Sequence, residues 1–171
     1  YKKIKIKKAE DNTLIFSLTY AYYSLVFSVL LVISVYDFKH KIIPDSLSLF
    51  VGIFAFVGLF LFDSFKFSLH VPNIWQFLAG PIIATPFALL WLISSGEWMG
   101  FGDAKLSIGL GWLLGLPFVF FGFVLSFWSG AILGMLLIVL TKKYRIKSEL
   151  PFAPFLVLGT FLAFLFELHL F

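Results

Sequence analysis

The chain is a succession of apolar runs about as long as a membrane is thick, and that feature constrains its fold more than any other. Residues 14–36 carry no formal charge and are rich in Leu, Val, Ile, Phe and Tyr. A hydrocarbon core of about 30 Å needs about 20 such residues as a helix. Comparable runs follow at 46–62, 74–94 and 118–140, with a final one after Pro151 and Pro154 that extends to about Phe171. A shorter, glycine-rich run spans 105–115, and Pro117 separates it from the next. Six membrane-spanning segments are therefore expected, in an all-α polytopic membrane protein. The chain is 61% hydrophobic and only 13% charged, against about 25% charged in soluble domains. A soluble core could not hide this apolar surface.

Residues 1–13 form a polar N-terminal tail or interhelix loop in this reading, and 14–171 form one membrane-embedded domain. Tyr1 is not an initiator methionine, and no short apolar segment with a small-residue cleavage site follows it. No signal peptide is expected, and the chain reads as a fragment or processed product. The net charge of +4 comes from clusters such as Lys2 to Lys8 and Lys142 to Lys147 beside apolar runs. Such clusters suit lipid headgroups and give no reason to invoke nucleic acid. The absence of cysteine excludes disulfides, thiolate zinc sites and thiol nucleophiles.

Within the apolar runs, local signals mark boundaries. Pro44 followed by Asp45 and Ser46 suits a helix start. Pro81 and Pro86 lie inside the third run, where a spanning helix tolerates them only if neighbouring groups re-satisfy the freed carbonyls; a kink is expected there. Gly96, Gly100 and Gly102 mark a loop in which backbone can approach backbone, with a helix resuming at Ala104. Six spans place the loops around residues 37–45, 96–105 and 142–153 on one side. Those loops hold seven Lys or Arg and the other side six, a narrow margin for assigning the three-loop side to the cytoplasm.

Acidic groups in a membrane cost about 2.5–3.5 kcal/mol at mid-depth, which draws attention to Asp37, at the end of the first run, and Asp103, at the start of the fourth. Both belong to the three-loop side. Two neighbouring carboxylates cannot both ionise easily, so they share a proton, and the pair can act as base toward water and acid toward a leaving amine. Peptide hydrolysis by such a pair needs no metal, thiol or activated serine. The alternative is that both are helix-end residues, with Asp103 capping its helix and Asp37 facing nearby lysines.

Three motifs bear on that choice. Asp37-Phe38-Lys39-His40-Lys41-Ile42-Ile43-Pro44-Asp45 resembles the Asp-x5-[Ile/Leu]-Pro-[Asp/Asn] motif of type IV prepilin leader peptidases. Glu97-Trp98-Met99-Gly100-Phe101-Gly102-Asp103-Ala104-Lys105-Leu106 is similar to their Glu-x-Met-Gly-x-Gly-Asp-x-Lys-Leu block, and Pro151-Phe152-Ala153-Pro154-Phe155 to the stretch before their last helix. The resemblance implies an intramembrane aspartic endopeptidase with Asp37 and Asp103 catalytic. Asp45 is supporting, because its position also accepts asparagine. Gly100 and Gly102 let the loop present Asp103, while Lys105 supplies charge near the pair or snorkels to headgroups. Glu97 hydrogen-bonds the glycine loop or is a solvated loop acid. The implied substrates are pilin-like precursors, cut near the cytoplasmic face of the plasma (inner) membrane.

No cofactor or metal is called for: His40 lies between two lysines as an interfacial residue, and His70 and His169 lie on the other side. Many family members carry an N-terminal module with two Cys-x2-Cys pairs, associated with methyl transfer; a chain without cysteine gives no basis for that activity. Tyr36-Asp37 also matches the presenilin-like enzymes, but their Pro-Ala-Leu element is absent. An archaeal preflagellin-type peptidase, a non-catalytic membrane protein and a transporter remain open.

Overall fold

The computed structural model describes residues 2–63, 66–97, 99–116, 118–140 and 151–170. Six helices run in chain order: α1 (Lys2–His40), α2 (Asp45–Leu61), α3 (Ile74–Ser94), α4 (Phe101–Leu114), α5 (Phe118–Leu140) and α6 (Ala153–Leu170). Between α2 and α3, β1 (Phe62–Asp63) and β2 (Lys66–Phe67) form a small antiparallel hairpin, with Phe62 opposite Phe67. The architecture is all-α and that of a polytopic membrane protein. The Lys142 to Lys147 flank and the Pro117 break expected from sequence lie outside the described residues.

Among the described residues, three helices are long and apolar enough to cross a membrane, over Thr13–His40, Ile74–Ser94 and Phe118–Leu136, while α2 and α6 supply shorter apolar stretches. At 14 residues, α4 is about 21 Å long and falls short of a full hydrocarbon core. It nevertheless occupies the middle of the protein: Asp103, Ala104, Leu106, Ser107, Leu110 and Gly111 are all buried, with α2 and α3 packed along it. α5 packs on α6, and α1 lies mainly against α6, with a smaller contact to α2. Large apolar side chains such as Leu31, Val35, Leu92, Ile93, Val139 and Leu140 point outward, as they must where the surrounding solvent is lipid.

Close packing of α4 depends on glycine. A Cβ at Gly111 would stand 2.5 Å from the Gly80 Cα and 2.7 Å from the Ala79 carbonyl, so α3 and α4 meet backbone to backbone, a recurring device where helices associate without a hydrophobic driving force. The same crossing answers the first of the two prolines in α3. Pro81 has no N–H, which deprives the Phe77 carbonyl of its donor four residues on. The indole Nε1–H of Trp112, on α4, donates to that carbonyl at 2.9 Å, and α3 runs unbroken through both prolines. Its start is fixed by Asn73, whose side chain accepts the Ile74 N–H at 2.7 Å while Gln76 accepts the Asn73 N–H at 2.8 Å.

Three boundaries differ from the sequence expectation. Residues 2–13, expected as part of a polar tail or interhelix loop, are the first turns of α1. α1 does not end at Asp37 but continues one further turn to His40, where Lys41, at φ 55°, closes it by donating its N–H to the Asp37 carbonyl at 2.7 Å. α4 begins at Phe101 and not at Ala104, because Gly100 adopts the extended N-cap conformation and leaves Asp103 inside the first turn. α2 begins where Pro44 and Asp45 indicated.

Candidate active site

The membrane-length part of α1 is apolar on every side, yet only one stripe turns inward: Val26, Leu30 and Ile33 are fully buried, and Asp37 continues the same rhythm at 5% exposure. Spacings of four, three and four residues keep one helix face toward the partner helices. The carboxylate of Asp37 is thereby aimed into the bundle. Its Oδ2 accepts the main-chain N–H of Ala153 at 3.1 Å. Ala153 is the first residue of α6, where backbone N–H groups lack helical partners, and a carboxylate is a favourable acceptor at that position.

The segment before α6 is held by aromatic packing. The Phe152 ring lies 5.0 Å from Phe127 of α5 and 5.8 Å from the fully buried Phe87 of α3. Pro154 has no N–H to satisfy, and the Phe155 N–H returns to the Phe152 carbonyl at 3.0 Å. Ala153 is left as the donor facing Asp37. Sequence reasoning singled out this proline-bracketed segment as a motif and did not connect it to Asp37; the buried Ala153 amide is the connection.

Asp103 is the second buried carboxylate, 7% exposed. Its N–H reaches the Gly100 carbonyl at 3.2 Å, and its own carbonyl accepts the Ser107 hydroxyl at 2.7 Å. Gly100 is the N-cap and provides no side-chain bond, so the expectation that Asp103 caps α4 is replaced by a position three residues further in. Among the described residues, the Oδ1 of Asp103 is buried without a hydrogen-bond partner, and a buried polar atom left unpaired in a native protein calls for a specific explanation. Asp37 and Asp103 are close enough for their charges to act on one another. Asp37 of α1 and Asp103 of α4, far apart in sequence, are thus two buried carboxylates within electrostatic reach of each other.

The other residues singled out from sequence surround Asp103 unequally. Asp45 opens α2, and its Oδ1 pairs with Lys105 Nζ at 2.8 Å. Lys105 also lies 5.3 Å from the centre of the Phe101 ring. It is paired across helices and does not snorkel freely. Gly102 lies directly against Ile43, whose Cβ would be 2.9 Å from a Cβ at 102. Gly100 has more room, since the nearest atoms to a Cβ there are 3.9 and 4.0 Å away. Glu97 is exposed in the turn after α3, with its N–H on the Ser94 carbonyl at 3.0 Å. His40 is exposed and stacks on Tyr36 at 4.3 Å. Among the described residues, no three His, Asp or Glu side chains gather as metal ligands.

Residues 24–135 match the model of the type IV leader peptidase family. The chain belongs to that family. Its matched segment contains both buried aspartates and ends before α6, so the Ala153 donor lies outside it. Over 153 residues the chain is 32% identical to a "Prepilin leader peptidase/N-methyltransferase" of Dichelobacter nodosus, covering 84% of this chain and 48% of the relative. Over 137 residues it is 29% identical to a protein of the same name from Stutzerimonas stutzeri, covering 80% of this chain and 46% of the relative. The chain thus spans about half the length of these leader peptidase relatives. No solved structure matches it.

Proposed function

We propose that the chain is an intramembrane aspartic endopeptidase that removes the leader peptide from type IV prepilin-like or pseudopilin precursors, with Asp37 and Asp103 as its catalytic dyad. The observation that supports this reading is the burial of two carboxylates, Asp37 and Asp103, within electrostatic reach of each other in a chain of the type IV leader peptidase family. The dyad shares one proton. The ionised carboxylate takes a proton from a water, whose oxygen attacks the scissile carbonyl carbon. The other carboxylic acid protonates the leaving amine as the C–N bond breaks, and the dyad returns to its singly protonated state. No cofactor enters this scheme. The roles belong to the pair, whose titration cannot be divided between two residues.

In this proposal residues 14–171 are the membrane-embedded peptidase domain of the plasma (inner) membrane, with the dyad end facing the cytoplasm. A precursor helix would lie in the bilayer while its leader reaches the dyad from the aqueous side. The relatives' names also include an N-methyltransferase; the reading proposed for the residues of this chain, which span about half the length of those relatives, is the peptidase activity.

The test is co-expression of a pilin-like precursor with wild type, Asp37→Asn or Asp103→Asn, following leader removal by the mobility of the product. Wild type should cleave and both variants should not, at equal membrane insertion. Cleavage by either variant removes that residue from the chemistry.

A further inference from the structure

We propose that residues 43–45 form a positioning latch that holds Asp103 in place, through a steric seat of Ile43 on Gly102 and an ion pair of Asp45 with Lys105. This deepens the proposed function and rests on the reading of Asp103 as catalytic. Gly102 and Lys105 bracket Asp103 near the start of α4; Gly102 is met by Ile43 of the α1–α2 connection and Lys105 by Asp45, the first residue of α2. At one point, Ile43 is buried and leaves no room for any side chain at 102: a Cβ there would meet its Cβ at 2.9 Å and its Cγ1 and Cδ1 at 3.4 Å. At the other, Asp45 Oδ1 and Lys105 Nζ are 2.8 Å apart.

Pro44 separates the two contact points. Its ring fixes φ near −65°, and it is observed at −63° as the N-cap of α2. Ile43 and Asp45 are thus presented to α4 at a set spacing. The latch extends beyond α4, because Lys105 lies over the Phe101 ring, which in turn packs 4.8 Å from Trp91 of α3. α2, α4 and α3 are tied together around the turn that carries Asp103.

The pair is open to solvent, with side-chain exposures of 38% for Lys105 and 73% for Asp45. An ion pair this exposed contributes little to stability, so its main consequence is where it holds the α4 turn. Among the described residues the Oδ1 of Asp103 has no hydrogen-bond partner, so the turn that carries it bears on where that oxygen points. Catalytic geometry is steep in distance: a misplacement of about 1 Å can cost about 100-fold in rate. The latch acts on Asp103 through the backbone, which makes Ile43, Asp45 and Lys105 positioning residues and not catalytic ones.

The experiment measures kcat and KM for precursor cleavage by the full chain in membranes. It compares wild type, Asp103→Asn, Asp45→Asn, Asp45→Lys, Lys105→Asp and the double reversal Asp45→Lys/Lys105→Asp. Each single reversal should lower kcat by about 10- to 100-fold with KM little changed. The double reversal should recover most of the loss, because contacting residues couple. Asp45→Asn, which still offers Lys105 an acceptor, should lose less than Asp45→Lys. The latch is overturned if the double reversal is no better than the poorer single variant, if the loss falls on KM, or if Asp45→Asn is as inactive as Asp103→Asn.

Should the reversals fail to insert, Gly102→Ala replaces them: its lost kcat should be partly restored by adding Ile43→Ala, and no restoration overturns the latch. Failure of the functional reading looks different. A wild type that does not cleave, or an Asp103→Asn that does, removes the dyad; an active wild type, an inactive Asp103→Asn and an unrepaired double reversal remove the latch alone.

Discussion

Replacing Trp112 with Phe isolates the bond that lets α3 carry a proline at its crossing with α4. The variant keeps an aromatic ring against Phe56, now 5.1 Å away, and deletes the only polar atom of the side chain. The Phe77 carbonyl then has no donor, since Pro81 cannot supply one. Interhelical hydrogen bonds in membranes are worth about 0.6–2 kcal/mol. Loss of the second ring removes dispersion contacts of similar size, so a total cost of about 1–3 kcal/mol is expected. Reversible unfolding of the purified protein in mixed micelles measures it. The decisive comparison is the same substitution in a Pro81→Ala background. The alanine restores an N–H four residues after Phe77, and Pro81 is exposed, so the exchange disturbs little packing. Trp112→Phe should then cost less by about 0.5–1.5 kcal/mol. An equal cost in both backgrounds would falsify the pairing of the indole with a proline-freed carbonyl and leave Trp112 as a packing residue only.

Three further outcomes follow from the same geometry. Gly111→Ala places a Cβ 2.5 Å from the Gly80 Cα, and because backbone cannot yield as a side chain can, stability should drop by about 1–3 kcal/mol in the same unfolding assay. Ala153→Pro suits the first position of a helix yet deletes the N–H that Asp37 accepts; cleavage should fall about 10- to 100-fold, while Ala153→Gly, which retains the N–H, should keep most of its activity, and equal losses would assign the effect to packing. Cleavage by the wild type should follow a bell-shaped pH profile, because the proposed dyad works with one proton shared between two groups; a rate that rises or falls monotonically across the accessible range would count against a dyad.

The helices were legible because a bilayer demands long apolar runs, and Pro44 and the glycine loop punctuate them with ordinary helix-start and turn chemistry. The inward face of each helix was not legible, for a physical reason. In a soluble helix, the polar side announces which stripe is buried; in α1, Leu31, Val32 and Val35 face out while Val26, Leu30 and Ile33 face in, and both sets are equally apolar. Periodicity therefore carries no contrast except where a polar residue interrupts it. Asp37 is such an interruption, and counting back from it in steps of four and three recovers the buried stripe. Reading inward from the acid, and not outward from the apolar pattern, would have placed it inside the bundle.

The same logic explains why the partners of the acidic pair were hidden. Ala153 contributes a backbone N–H, and Ile43 acts by its shape against a glycine; neither advertises itself by side-chain chemistry. Motif spacing recorded both, since Ile43 stands beside Pro44 and Ala153 between two prolines, but spacing along the chain cannot say which motif meets which. In this fold the first motif closes on the second through Ile43 with Gly102 and Asp45 with Lys105, and on the third through Asp37 with Ala153. α1 and α2 thereby bring the two halves of the site together from opposite sides of the same short connection. A substitution in residues 41–44 should consequently disturb both aspartates at once, whereas one at Ala153 should act on Asp37 and one at Gly102 on Asp103.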